Sequence, residues 1–140
     1  AGDRGIAYPQ GYRHWTHVKS MLIEPGHLLY ASFGGLHNLY ANDRALQGYR
    51  SGHFPDGAEI AFDLQAADSA DHAVTGGERK FVGVMVRDGK RYAETGGWGF
   101  EAFKGDSHDQ RMVGDKAATA CFSCHASQKA HDYVFSSYRE

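Results

Sequence analysis

Two cysteines stand close together near the end of the chain, in Cys121-Phe122-Ser123-Cys124-His125, and the chain has no others. Cys-x-x-Cys-His is the sequence pattern for attaching a c-type haem. On a helical turn, residues at i and i+3 lie on one side, so both thiols can add to the two vinyl groups along one haem edge. The next residue then turns its imidazole toward the iron, and histidine is the usual proximal ligand type. Cys121, Cys124 and His125 are the candidate cofactor residues, His125 is the candidate metal ligand, and covalently attached haem c is the expected cofactor.

Three other chemistries compete for the same residues. A redox dithiol needs only Cys-x-x-Cys, usually beside a βαβ unit near the start of a chain. Here the pair comes late and no βαβ pattern precedes it. A structural zinc site usually takes four N or S ligands in paired spacings. Nine histidines could complete one, but no second pair with that spacing lies close by. A plain disulfide would close a very small loop.

The elements that must position this motif read mainly as strands. Leu28 to Ala41 is apolar with tyrosines and predicts a strand, with a bend or bulge at Gly34-Gly35. Asn42 is placed as the N-cap of a short helix ending near Gly52. Asp56-Gly57 signals a turn. Ala58 to Leu64 alternates, with Ile60, Phe62 and Leu64 on one face, and predicts a half-buried strand. Lys80 to Arg87 predicts another, followed by a hairpin turn at Asp88-Gly89. Arg91 to Thr95 and Trp98 to Phe103 are expected to continue the sheet. Asp115 to Ala130 is Ala-rich and predicts the haem-bearing helix, with a short strand over Tyr133 to Tyr138 after it. The expected fold class is α+β: a mainly antiparallel sheet with flanking helices and a C-terminal haem-binding helix.

Composition is consistent with one globular domain over residues 1–140. Hydrophobic residues make up 41% and charged residues 23%, with a formal net charge of −2. No long basic run favours nucleic acid. The longest apolar run, Phe81 to Val86, falls short of the roughly 20 residues a membrane helix needs, so no membrane insertion is expected. The start at Ala1 fits an exported chain whose signal peptide has been removed, and equally a trimmed one.

The late motif and the strands before it narrow the type of cytochrome. Small electron-carrying cytochromes attach haem near the N-terminus and take a later Met as second ligand. Only 15 residues follow His125 and none is Met, although Met112, just upstream, is open to trial as a ligand. Helical cytochromes c′ need four long helical patterns, whereas this chain offers alternating strands and 18 glycines.

The chain resembles the cytochrome P-460 and cytochrome c′-beta family. The resemblance runs through Tyr12-Arg13-His14-Trp15, Leu39-Tyr40-Ala41-Asn42 and Gly52-His53-Phe54-Pro55-Asp56-Gly57. It continues through Arg91-Tyr92-Ala93, Trp98-Gly99-Phe100, the haem motif and Tyr133-Val134-Phe135. It implies an exported, periplasmic homodimer whose haem has His on one side and an open or weakly occupied site on the other. The P-460 enzymes oxidise hydroxylamine and carry a lysine cross-linked to the haem, on the strand after the Asp-Gly turn. Phe62 matches that position here, and a phenyl ring has no nucleophilic nitrogen. Lys80 and Lys90 are expected on other strands.

In the c′-beta branch, phenylalanines cap the iron, and Phe33 and Phe62 match those positions. Distal polarity, donors and steric access decide what a haem binds. An apolar cap favours small neutral gases, nitric oxide and carbon monoxide, over water and anions. The leading reading is thus a gas-binding haem protein with no catalytic residues of its own. Its alternatives are a hydroxylamine-oxidising enzyme and a periplasmic electron carrier with a redox partner protein. A strand Phe can also be plain core packing. His37 is open as a second approach to the pocket, and Arg50, Arg87 and Arg91 are candidate partners for the haem propionates. Trp15 and Trp98 are expected in the core, and the remaining histidines on the surface.

Overall fold

The computed structural model describes residues 5–114 and 125–140. Five strands form one antiparallel sheet in chain order: β1 (Thr16–Ile23), β2 (Gly35–Ala41), β3 (Glu59–Ala70), β4 (Ala73–Arg87) and β5 (Trp98–Lys104). Short helices α1 (Tyr30–Phe33) and α2 (Asp43–Ser51) lie between strands, and a 3-10 segment covers Ala126–His131. The α+β class follows directly from this order.

Side chains alternate across a strand, so the pairing register assigns each residue to a face. His37 pairs with Leu64 and Leu39 with Phe62. Phe62 in turn faces Gly83, Leu64 faces Phe81 and Ile60 faces Met85. Met85 pairs with Phe100 and Arg87 with Trp98. These residues share one face. There α2, Phe54 and the C-terminal segment pack against Leu39, Ile60, Trp98 and Phe100. The other face carries Ala61, Asp63, Val82, Val84 and Phe103, covered by Ile6, Tyr8 and Tyr12.

That second layer corrects the expected half-buried β3. Ala61 and Asp63 are as deeply buried as the apolar face. Asp63 is held by the Tyr12 hydroxyl at 2.7 Å and by Arg79 Nε at 2.9 Å. A buried carboxylate with these partners avoids the desolvation penalty that would otherwise forbid it.

Other expectations divide. Asn42 caps α2, its side-chain oxygen accepting from Ala45 N at 3.0 Å, and Gly52 ends the helix in the left-handed region. Leu28 to Ala41 is not one strand, because α1 occupies Tyr30–Phe33 and β2 begins only at Gly35. Gly35 has φ +123°, and an added Cβ would stand 2.4 Å from the Gln65 carbonyl oxygen. The close approach to β3 therefore requires glycine. Arg91 to Thr95 is turn and 3-10 backbone, with the Asp88 side chain accepting from the amides of Lys90 and Arg91. Tyr133 to Tyr138 forms no strand. The predicted Asp115 to Ala130 helix lies mostly outside the described residues, and its described end is 3-10, kinked at Gln128.

Candidate functional site

His125 sits against the same sheet face as Phe62. Its ring lies 5.1 Å from that of Phe100 and 4.9 Å, edge to face, from that of Phe135. Its Nδ1 is 2.7 Å from the Tyr133 carbonyl oxygen. A carbonyl only accepts, so Nδ1 carries the proton and donates. The lone pair is left on Nε2, which is the tautomer and orientation a metal-binding histidine needs. Burial pushes the imidazole below its usual range, and the Tyr133 bond opposes that shift.

The Tyr133 carbonyl is itself fixed by the residue before it. Asp132 accepts from Arg87 Nη1 at 2.9 Å and, through its other oxygen, from Phe54 N at 2.8 Å. Its backbone carbonyl accepts from Trp98 Nε1 at 2.8 Å. Asp132 and Tyr133 both have positive φ, a conformation Asp tolerates better than most residues. Two side chains of the sheet, Arg87 and Trp98, and the Phe54 amide thus hold the turn that orients His125.

A second cluster lies on the same face. Phe62 packs edge to face with Phe33 at 5.8 Å and stacks with Phe81 at 5.8 Å. Phe33 meets Phe81 at 6.1 Å. His37 stacks on Phe62 at 4.3 Å with a 28° interplanar angle. His37 comes from β2 and Phe81 from β4, the strands on either side of Phe62's own β3. His37 is 4% exposed, and its Nδ1 has no hydrogen-bond partner among the described residues. Burial, helped by the Lys19 charge, pushes the ring down to about 4, so it is neutral at pH 7.

The structure therefore brings Phe33 and Phe62 together, although Phe33 closes α1 rather than lying on a strand. His37 reaches the cluster by stacking on Phe62, not by sharing strand parity with Phe33. Cys121 and Cys124 lie outside the described residues. Trp98 is fully buried, whereas Trp15 is only half-buried against the Tyr12 cluster. The other seven histidines are exposed as expected.

The arginine candidates are already engaged. Arg87 is used by Asp132 and the Gly96 carbonyl, Arg50 by Glu140, and Arg91 donates to the Gly5 carbonyl beyond the opposite face. Lys80 Nζ donates to the Gly34 carbonyl at 2.7 Å, beside Phe33. Met112 is exposed. Sequence reasoning missed Phe81, whose signal was its register two residues before Gly83. It also missed Asp132, a single polar residue with no local pattern to mark it.

A cleft of about 280 Å³ opens on the opposite face, lined by Tyr8, Trp15, Glu59 and Tyr92 among others. The sheet separates it from His125. Glu101 anchors the chain just before the haem motif, accepting from the amides of Val113 at 2.9 Å and Gly114 at 3.1 Å.

These residues fit a haem. Among the described residues, Nε2 of His125 is free to act as a ligand, aromatic rings line the same face, and one buried polar atom there lacks a partner. Among the described residues no helix is long and apolar enough to cross a membrane. The Cytochrome P460 family model matches residues 9–136, most of the chain. No curated protein matches it.

Proposed function

The chain belongs to the Cytochrome P460 family, and from that premise we propose a gas-binding haem protein of the cytochrome c′-beta type. Membership makes it a haem cytochrome. The observation that carries the finer reading is Phe62, packed among Phe33, Phe81 and His37. That position matches the cross-linking lysine of the hydroxylamine-oxidising enzymes, and Phe62 has no nitrogen to form the link.

When bound, the haem would supply an iron able to take a small ligand. The chain's residues set the conditions for that binding. Cys121 and Cys124 hold the haem by thioether bonds, and His125 offers Nε2. The Tyr133 bond holds the ring proton on Nδ1, which leaves the lone pair on Nε2 and fixes its direction. Phe33, Phe62 and Phe81 exclude water, and their rings offer no donor to anions or to a polarised ligand. Nitric oxide and carbon monoxide need no such donor, and room for them comes from ring movement. Met112, exposed, supports no second strong ligand of the kind an electron carrier wants.

Export to the periplasm and a homodimer complete the proposal. Both rest on the resemblance. Leu28, Leu29 and Tyr30 are exposed in succession, and a second copy covering them is consistent with the dimer.

Hydroxylamine oxidation is the second reading, because Lys80 does reach the backbone beside Phe33. Its ammonium is held by the Gly34 carbonyl, which supports a tether for α1 rather than a cross-link. The mass of the haem-bearing peptide separates the two. Two thioether bonds and no third link are expected, with no turnover of hydroxylamine plus an electron acceptor. A third link to lysine, or sustained turnover, overturns the gas-binding reading.

A further inference from the structure

His37 is out of place in an apolar cap. A residue needed only to fill space beside Phe62 would be Leu or Phe. Burying a ring nitrogen with no partner is destabilising, and such groups are rare enough in native proteins to require a reason. Nδ1 of His37 has none among the described residues. Asn38 and Ser20, close by in the chain register, bond each other and His17 on the opposite face. Lys19 bonds the Met21 sulfur instead.

The ring's location gives the reason. It stacks on Phe62, one of the rings that must move to admit a ligand. His37 shares its sheet face with Phe81, Met85 and Phe100, and Phe100 in turn packs on His125. Among the described residues, the Lys80 ammonium beside Phe33 is taken up by the Gly34 carbonyl and Lys19 by the Met21 sulfur, whereas Nδ1 of His37, in the cluster itself, has no partner. Burial keeps the ring neutral, so it has one N–H and one lone pair to offer.

We infer that His37 is the hydrogen-bonding residue of the ligand site: its Nδ1 bonds the outer atom of a small ligand admitted when Phe62 swings aside. The inference rests on the gas-binding reading and refines it. The cap is apolar at rest but carries one polar contact for its ligand, which favours ligands whose outer atom can take a hydrogen bond.

The test uses the haem-loaded protein, reduced and saturated with carbon monoxide. A hydrogen bond to the outer oxygen lowers the carbon–oxygen stretching frequency. The wild type is expected to show a lower frequency than His37→Phe, which keeps the stacked ring and removes the polar atom. His37→Gln returns an amide donor and is expected to lower the frequency again. Carbon monoxide is expected to dissociate about three- to tenfold faster from His37→Phe, the range one net hydrogen bond spans. Equal frequencies in all three proteins overturn the inference while leaving gas binding intact. So does a six-coordinate wild-type iron that becomes five-coordinate in His37→Phe, since His37 is then a ligand. No carbon monoxide complex in the wild type overturns the gas-binding reading, and this inference with it.

Discussion

Nδ1 of His125 lies 2.7 Å from the backbone carbonyl of Tyr133, and Asp132, one residue earlier, ties that carbonyl's turn to Arg87, Trp98 and the Phe54 amide. His125, the proposed ligand, is therefore aimed by an aspartate that does not touch it. The arrangement braces the C-terminal stretch, as the groups behind a metal ligand commonly do.

Asp132→Ala removes both carboxylate bonds and leaves the largely buried Arg87 its Gly96 carbonyl but not the Asp132 counter-charge. The expected cost is about 2–3 kcal/mol, read as a lower denaturant midpoint with an unchanged slope. The haem spectrum is expected to broaden or change spin state as His125 loses its orientation. Asp132→Asn keeps acceptor capacity and tolerance of the positive φ, and is expected to lose less on both counts.

Stability is expected to depend on pH through His37. Its folded-state value is pushed down to about 4, against about 6.5 unfolded. Above pH 6.5 both states are neutral and stability is full. Below it the unfolded chain binds a proton that the folded one refuses, so stability falls as pH drops toward 4. The loss approaches roughly 3 kcal/mol. Unfolding measured from pH 7.5 to 4 checks this, and His37→Phe is expected to flatten that part of the curve.

The contrast between these two residues shows what the sequence made legible. His125 was marked by its motif, and the face of Phe62 by the alternation of its strand, while its place in the cap came from the family resemblance. Asn42 and Gly52 carried their own capping signals. Each of those features is local. Asp132, Phe81 and the stacking of His37 on Phe62 are products of strand register and chain return, which no short window encodes. The β3–β4 hairpin was hidden in the same way. Its turn is Asp71-His72, both with positive φ, and it lacks the glycine that usually marks such a turn. The second sheet layer was missed because Ala61 and Asp63 look like a solvent face until Tyr12 covers them.

Phe62→Ala opens the cap. Phe62 is half-buried, so the expected destabilisation is about 2 kcal/mol, below the range for a fully buried Phe. Carbon monoxide is expected to associate faster, because no ring has to move first. Stopped-flow mixing of the reduced protein with the gas measures this. An unchanged association rate would make Phe62 core packing, with no role as a gate.

The absorption spectrum of the reduced protein, before and after nitric oxide, tests the central claim most directly. A high-spin, five-coordinate haem is expected, converting fully to a nitrosyl complex on adding the gas. A low-spin, six-coordinate spectrum without added ligand, unmoved by nitric oxide, would contradict it.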